Sequence, residues 1–159
     1  MTQLRIGLAQ TRQTADRQDN HRAIMEAIDK AEAQDVQILC FPETQTVGYR
    51  VDIATPETPV PVEKLDELHR RVAQRCGELG MACILGTETP LEADPHGGKP
   101  YNSALVISEK GEVLCTHHKS KLTPLDAVAY SPGEGFQTFE LFGVKSSVAI
   151  CFEGFRFPE

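Results

Sequence analysis

A chain of 159 residues, 40% hydrophobic and 25% charged, has ordinary globular usage, which argues against disorder or a fibrous repeat and suits one domain burying about 68 to 70% of its unfolded surface. The net charge of -7, with Lys and Arg scattered rather than clustered, opposes a phosphate backbone, so no nucleic acid partner is expected. No apolar stretch reaches the ~18 to 20 residues that cross a bilayer, and MTQLRIGLAQ lacks the basic and long apolar regions of a leader, so a cytoplasmic protein with no membrane partner is expected. The five cysteines are odd in number and form no CxxC pair, which fits reduced thiols. Cys40, Cys76, Cys83 and Cys115 read as small core hydrophobes.

The first element is a strand over Leu4 to Gln10, followed by a polar loop. Ile24, Ala27, Ile28 and Ala31 then fall on one helical face, with Asp19 or Asn20 as N-cap and an end near Gln34. Val36 to Phe41 is a nearly continuous apolar run, typical of a buried strand, and Pro42 ends it because proline has no N-H for the ladder. Glu43 therefore stands just past a strand end. Thr44 to Pro61 reads as irregular, broken by Pro56, Pro59 and Pro61, and as covering one side of a cleft.

Leu65, Leu68, Val72 and Leu79 give a second helix that Gly80 stops. Ala82 to Gly86 reads as another buried strand, and Tyr101 to Ser108 forms a hairpin through EKGE with Glu112 to His118, which delivers Lys119. A loop through LTPLDAVAYSPGEG leads by GFQTFELFG into a last strand, Val144 to Ile150, ending at Cys151. Strands mixed with two helices give an α/β or α+β layered domain. No internal repeat, low-complexity tract or linker divides it, so residues 1–159 form one domain.

Glu43, Lys119 and Cys151 each end an apolar run, where open α/β sheets place their ligand crevices. A thiol that attacks an electrophilic carbon needs a base to take its proton and a cation to hold the developing oxyanion, and these three residues supply those roles. Cys115, His117 and His118 could suggest a metal, but alternate strand residues face opposite sides and no second ligand pair has zinc-like spacing, so no metal is expected. The glycines of HGGK and PGEG lack a full phosphate-loop pattern and read as turns.

FPE at Phe41 to Glu43, HHKSKL at His117 to Leu122 and AICFEGFRFPE at Ala149 to Glu159, with YNSALVISEKGEVL and YSPGEG between them, resemble the motifs of the nitrilase or carbon-nitrogen hydrolase superfamily over essentially the whole chain. The resemblance implies an α-β-β-α sandwich with Glu43, Lys119 and Cys151 as its Glu-Lys-Cys triad and no cofactor. It implies a thiol hydrolase acting through a thioester on a small amide or carbamoyl substrate, with Phe152 supplying an oxyanion-binding N-H. A nitrile is the alternative substrate, and Phe152-Glu153, where true nitrilases usually have Trp after the nucleophile, points toward the amidase branches.

Three positions depart from the family pattern or leave a choice open. Lys121 stands where a His is more usual, and Asp126 where a Glu positions the lysine or the substrate, one methylene shorter in reach. Glu153 could pair with a substrate amine or order its own loop. Related domains continue past RFPE, so the resemblance implies a sandwich incomplete at its C-terminus, hence an uncovered apolar layer and a homo-oligomer. A partial, non-catalytic module is the alternative from another class.

Overall fold

The computed structural model describes residues 3–52, 62–90 and 98–155. Pro56, Pro59, Pro61 and the RFPE segment lie outside the described residues, as does most of the loop after Pro90. The order is β1 (Ile6–Leu8), α1 (Arg17–Glu32), β2 (Ile38–Cys40), α2 (Val62–Leu79), β3 (Ala82–Thr89), β4 (Tyr101–Ile107), β5 (Val113–His118), α3 (Asp126–Ala129), β6 (Thr138–Leu141), β7 (Val144–Ser147) and a 3-10 turn, Cys151–Gly154. The mixed α/β architecture is that expected from the sequence, with α3 added inside a stretch that reads as loop.

A five-stranded sheet runs β1-β2-β3-β4-β5, parallel through β3 and antiparallel from β3 to β5. Alternation divides its residues between two faces. On one face Leu39, Cys83, Leu85, Leu105 and Ile107 meet Ile24 and Ile28 of α1 and Leu68, Val72 and Cys76 of α2. The other face carries Ile38, Ala82 and Val106 against Leu141 of the β6-β7 hairpin, with Ile84, Cys115 and Phe139 packed around them. Toward the β1 edge that second face is open, leaving Ile6 and Leu8 exposed.

Several boundaries differ from the sequence reading for local reasons. Helix α1 starts at Arg17, because the Asp16 side chain accepts the Gln18 N-H at 2.8 Å. Asn20 is no cap; it is buried and ties the preceding loop through Thr14, donating to its carbonyl at 2.8 Å and accepting its N-H at 2.9 Å. Strand β3 runs on to Thr89, since β4 pairs with it as far as Thr89 opposite Tyr101. The strand expected to reach Ile150 stops at Ser147, where its pairing with β6 ends at Thr138.

Gly86 in the middle of β3 has a steric cause. A Cβ built there would lie 1.9 Å from the Pro42 carbonyl oxygen and 2.8 Å from the Thr44 nitrogen, so only glycine lets the segment bearing Glu43 lie directly on the sheet. Gly86→Ala is expected to cost at least the roughly 1 to 3 kcal/mol typical of an overpacked core and to displace Glu43. Denaturant unfolding checks the first, and loss of Cys151 reactivity in the folded protein checks the second.

Candidate active site

Glu43 follows β2 on a turn that is fastened at several points. Phe41 N-H donates to the Ile84 carbonyl at 2.9 Å and Thr46 N-H to the Gly86 carbonyl at 3.1 Å, while the Gln13 side chain donates to the Glu43 carbonyl at 2.5 Å. Thr44 sits at φ 53 with 0% exposure. A non-glycine residue is held in this left-handed region only where its surroundings over-determine it. The base candidate is thus rigidly mounted.

Lys119 follows β5. Its N-H donates to the Asn102 carbonyl at 2.8 Å, and its own carbonyl accepts from Gly133 at 2.9 Å. Gly133 must be glycine for that approach, since a Cβ would meet the His118 carbonyl oxygen at 2.2 Å. The PG turn therefore closes directly over the end of β5. Because Glu88 pairs with Asn102 and Asn102 adjoins Lys119, three buried polar residues form a row across three neighbouring strands.

The structure brings these groups to one place. Lys119 Nζ stands 2.7 Å from Glu43 Oε1 and 2.9 Å from Asp126 Oδ2, and Asn102 Nδ2 donates to the same Glu43 oxygen at 2.6 Å. Cys151 faces Glu43 across a shared cavity, near enough for the Glu43 charge to act on the thiol. Cys151 is exposed, the other four thiols being buried or half-buried. It opens the 3-10 turn at φ 46, a strained backbone of the kind found where a reactive side chain must be presented. A cavity of about 350 Å³ adjoins Glu43 and Cys151, walled mainly by Phe41, Ile84, Ala104 and Val148.

Electrostatics fix the protonation states. Burial alone would lower the Lys119 pKa, but its bonds to Glu43 and Asp126 outweigh this and raise it, so Lys119 is an ammonium. Burial would likewise raise Asp126, yet donation from Tyr49, Thr123 and Lys119 holds its carboxyl below the usual range. Burial and the Glu43 charge push the Cys151 thiol up, against the opposing pull of Lys119 and the Phe152 N-H. The resting sulfur is therefore protonated, with a carboxylate in place to take the proton.

Two of the positions left open by the sequence are resolved by contacts. Asp126 opens α3 with 0% exposure; Oδ2 accepts from Lys119 and from Thr123 N-H at 2.9 Å, and Oδ1 accepts from the Tyr49 hydroxyl. Its carboxylate thus holds the lysine despite the shorter side chain. Glu153, for which the sequence left open a substrate amine or its own loop, has a carboxylate that is 1% exposed and bonded to Ser120, Ile150 and His117. His117 faces Glu153, whereas the His118 ring contacts Ser103 and stacks on Tyr101.

Sequence reasoning missed Asn102, Tyr49 and the pair Arg50–Glu88. Arg50 meets the buried Glu88 carboxylate through Nε at 2.5 Å and Nη2 at 2.8 Å, and its backbone N-H donates to the Tyr130 hydroxyl at 3.0 Å. Tyr130 stacks on Tyr49 with centroids 6.1 Å apart. This clamp fixes the loop from which Tyr49 reaches Asp126. A polar residue inside an otherwise apolar strand was the available signal for Asn102.

The model of the carbon-nitrogen hydrolase family matches residues 5–159. The chain belongs to that family. Among the relatives of this carbon-nitrogen hydrolase chain, an (R)-stereoselective amidase of Pseudomonas sp. is 31% identical over 123 residues, 76% of this chain and 41% of the relative. An omega-amidase of Xenopus laevis is 28% identical over a 172-residue alignment covering 100% of this chain and 58% of the relative. Among solved structures, a mutant of the amidase from Nesterenkonia sp. AN1 superposes with a TM-score of 0.77 at 26% identity, over 94% of this chain and 58% of that one. In it acrylamide has added to the active site cysteine, and in a second structure the acetamide moiety of fluoroacetamide is attached there. The chain spans about half the length of the curated relatives it matches.

Proposed function

We propose that this chain carries the chemistry of an amidase, with Cys151 as nucleophile, Glu43 as general base and Lys119 as the cation that holds the oxyanion. The observation that supports this best is the position of Glu43, whose carboxylate meets the Lys119 ammonium at 2.7 Å and lines the same cavity as Cys151. An apolar-walled cavity beside both residues suits a small amide.

Glu43 takes the thiol proton as sulfur bonds to the carbonyl carbon, and the charge passing to oxygen is met by Lys119 and the Phe152 N-H. Collapse of this tetrahedral adduct breaks the carbon-nitrogen bond. Glu43-H returns its proton to the departing nitrogen, leaving a thioester and free ammonia or amine. Water, deprotonated by Glu43, then adds to the thioester, releasing the acid and restoring the thiol. An amine in place of water would give acyl transfer from the same intermediate. A homo-oligomer, supported by Ile6 and Leu8 exposed on the open face, and a cytoplasmic location complete the proposal.

The test pairs labelling with turnover. Cys151 is expected to alkylate at least tenfold faster than the other four thiols with a small haloacetamide, and the protein to release ammonia from small aliphatic amides. Release from the matching nitriles alone would replace the amide reading with the nitrile one. Equal, slow labelling of all the thiols with no ammonia release would leave a non-catalytic module.

A further inference from the structure

Glu153 lies two residues past Cys151, and its carboxylate gathers four donors. One oxygen accepts the Ser120 N-H and the Ser120 hydroxyl, each at 2.8 Å; the other accepts the Ile150 N-H at 2.8 Å and His117 Nε2-H at 2.8 Å. Burial by itself would raise its pKa, but these donors hold it below the ordinary carboxylate range, so the group is an anion bonded through charge-assisted contacts.

The identity of the donors gives this cluster its meaning. Ser120 directly follows Lys119, and Ile150 directly precedes Cys151. One carboxylate thus joins, oxygen by oxygen, the backbone that carries the ammonium to the backbone that carries the thiol. The Cys151 backbone at φ 46 costs roughly 1 to 2 kcal/mol for a residue with a side chain, so the turn depends on an outside hold. His117 is 2% exposed and its ring is parallel to Phe136, centroids 5.6 Å apart, while its Nδ1 is buried with no hydrogen-bond partner among the described residues. The imidazole is therefore set by its single bond to Glu153.

We propose that Glu153, oriented by His117, is a positioning residue that fixes the spacing between the Lys119 ammonium and the Cys151 thiol. It touches no reacting atom and acts through the two backbone amides it holds. The inference rests on the reading of Cys151 as nucleophile, and its test is arranged to separate the two.

Glu153→Gln, His117→Leu and His117→Gln are made in the full chain. Amide hydrogen exchange is followed at Ser120 and Ile150, and Cys151 alkylation by iodoacetamide is followed from pH 5 to 10. In Glu153→Gln and His117→Leu, exchange at those two amides is expected to rise at least tenfold while the β3-β4 amides keep their protection. The Cys151 alkylation rate at pH 7 is expected to change at least tenfold, with its titration displaced, as the sulfur leaves its set distance from Glu43 and Lys119. His117→Gln keeps a donor to Glu153 and is expected to stay within about threefold of the parent. An unchanged Cys151 titration in both disruptive variants, with or without a uniform loss of protection, overturns the proposal and leaves Glu153 a stabilising group. Should Glu153→Gln fail to fold, the two His117 variants decide the matter. A parent Cys151 that alkylates no faster than Cys40 and Cys115 counts against the nucleophile alone, because exchange and titration still report on the spacing.

Discussion

Glu43→Gln is expected to lower amide turnover by about a hundred- to ten-thousand-fold, the range ascribed to a positioned general base, without unfolding the protein. Glutamine keeps the shape and one carbonyl oxygen, so the contacts from Lys119 at 2.7 Å and Asn102 at 2.6 Å retain an acceptor. Lys119 also keeps Asp126 at 2.9 Å. The proton acceptor beside a thiol whose pKa burial and a neighbouring carboxylate have raised is what disappears. Steady-state ammonia release with a parallel thermal melt checks this. Turnover within threefold of the parent would mean that another group takes the proton.

The second large effect is one of stability. Arg50→Ala leaves the Glu88 carboxylate, 1% exposed, without the guanidinium that meets both of its oxygens. Removing one member of a buried ion pair typically costs about 3 to 5 kcal/mol. Its pH dependence has a definite sign. Burial raises the Glu88 pKa, and Arg50 opposes that rise, so loss of Arg50 sends the folded-state value further up. A carboxyl whose folded pKa exceeds its unfolded one adds stability below the unfolded value, near 4.3 for Glu, and loses it as pH rises through the folded value. The deficit of Arg50→Ala is therefore expected to be largest at neutral and alkaline pH and to shrink on acidification. Urea unfolding at several pH values measures it, and a deficit that grows toward acid would contradict the burial argument.

The strand tips were legible because Pro42, with no N-H for the ladder, closes the apolar run VQILCF, and because YNSALVIS turns back through EKGE into a second run, Glu112 to His118. Glu43 and Lys119 stand where those runs place them. Cys151 was reached by a less sound step: SSVAI reads as strand, yet pairing ends at Ser147 and the Ile150 amide is claimed by a side chain, Glu153. The Asp16 cap was hidden because Asp16, Asp19 and Asn20 all carry capping chemistry, and the choice depends on which of them the fold buries. Tyr49 and Arg50 sit in an aperiodic loop, where no repeat of apolar residues reveals what a side chain meets 77 or 38 positions away.

Glu88, Asn102 and Lys119 occupy one lateral row only because β4 is aligned with its neighbours in a single way. Were that strand threaded one residue out of step, the pleat would swing Asn102 toward the helices and turn Leu105 away from them. Misaligned chains would thus lose reactivity and burial together, so a titre of functional thiol doubles as a count of correctly assembled molecules.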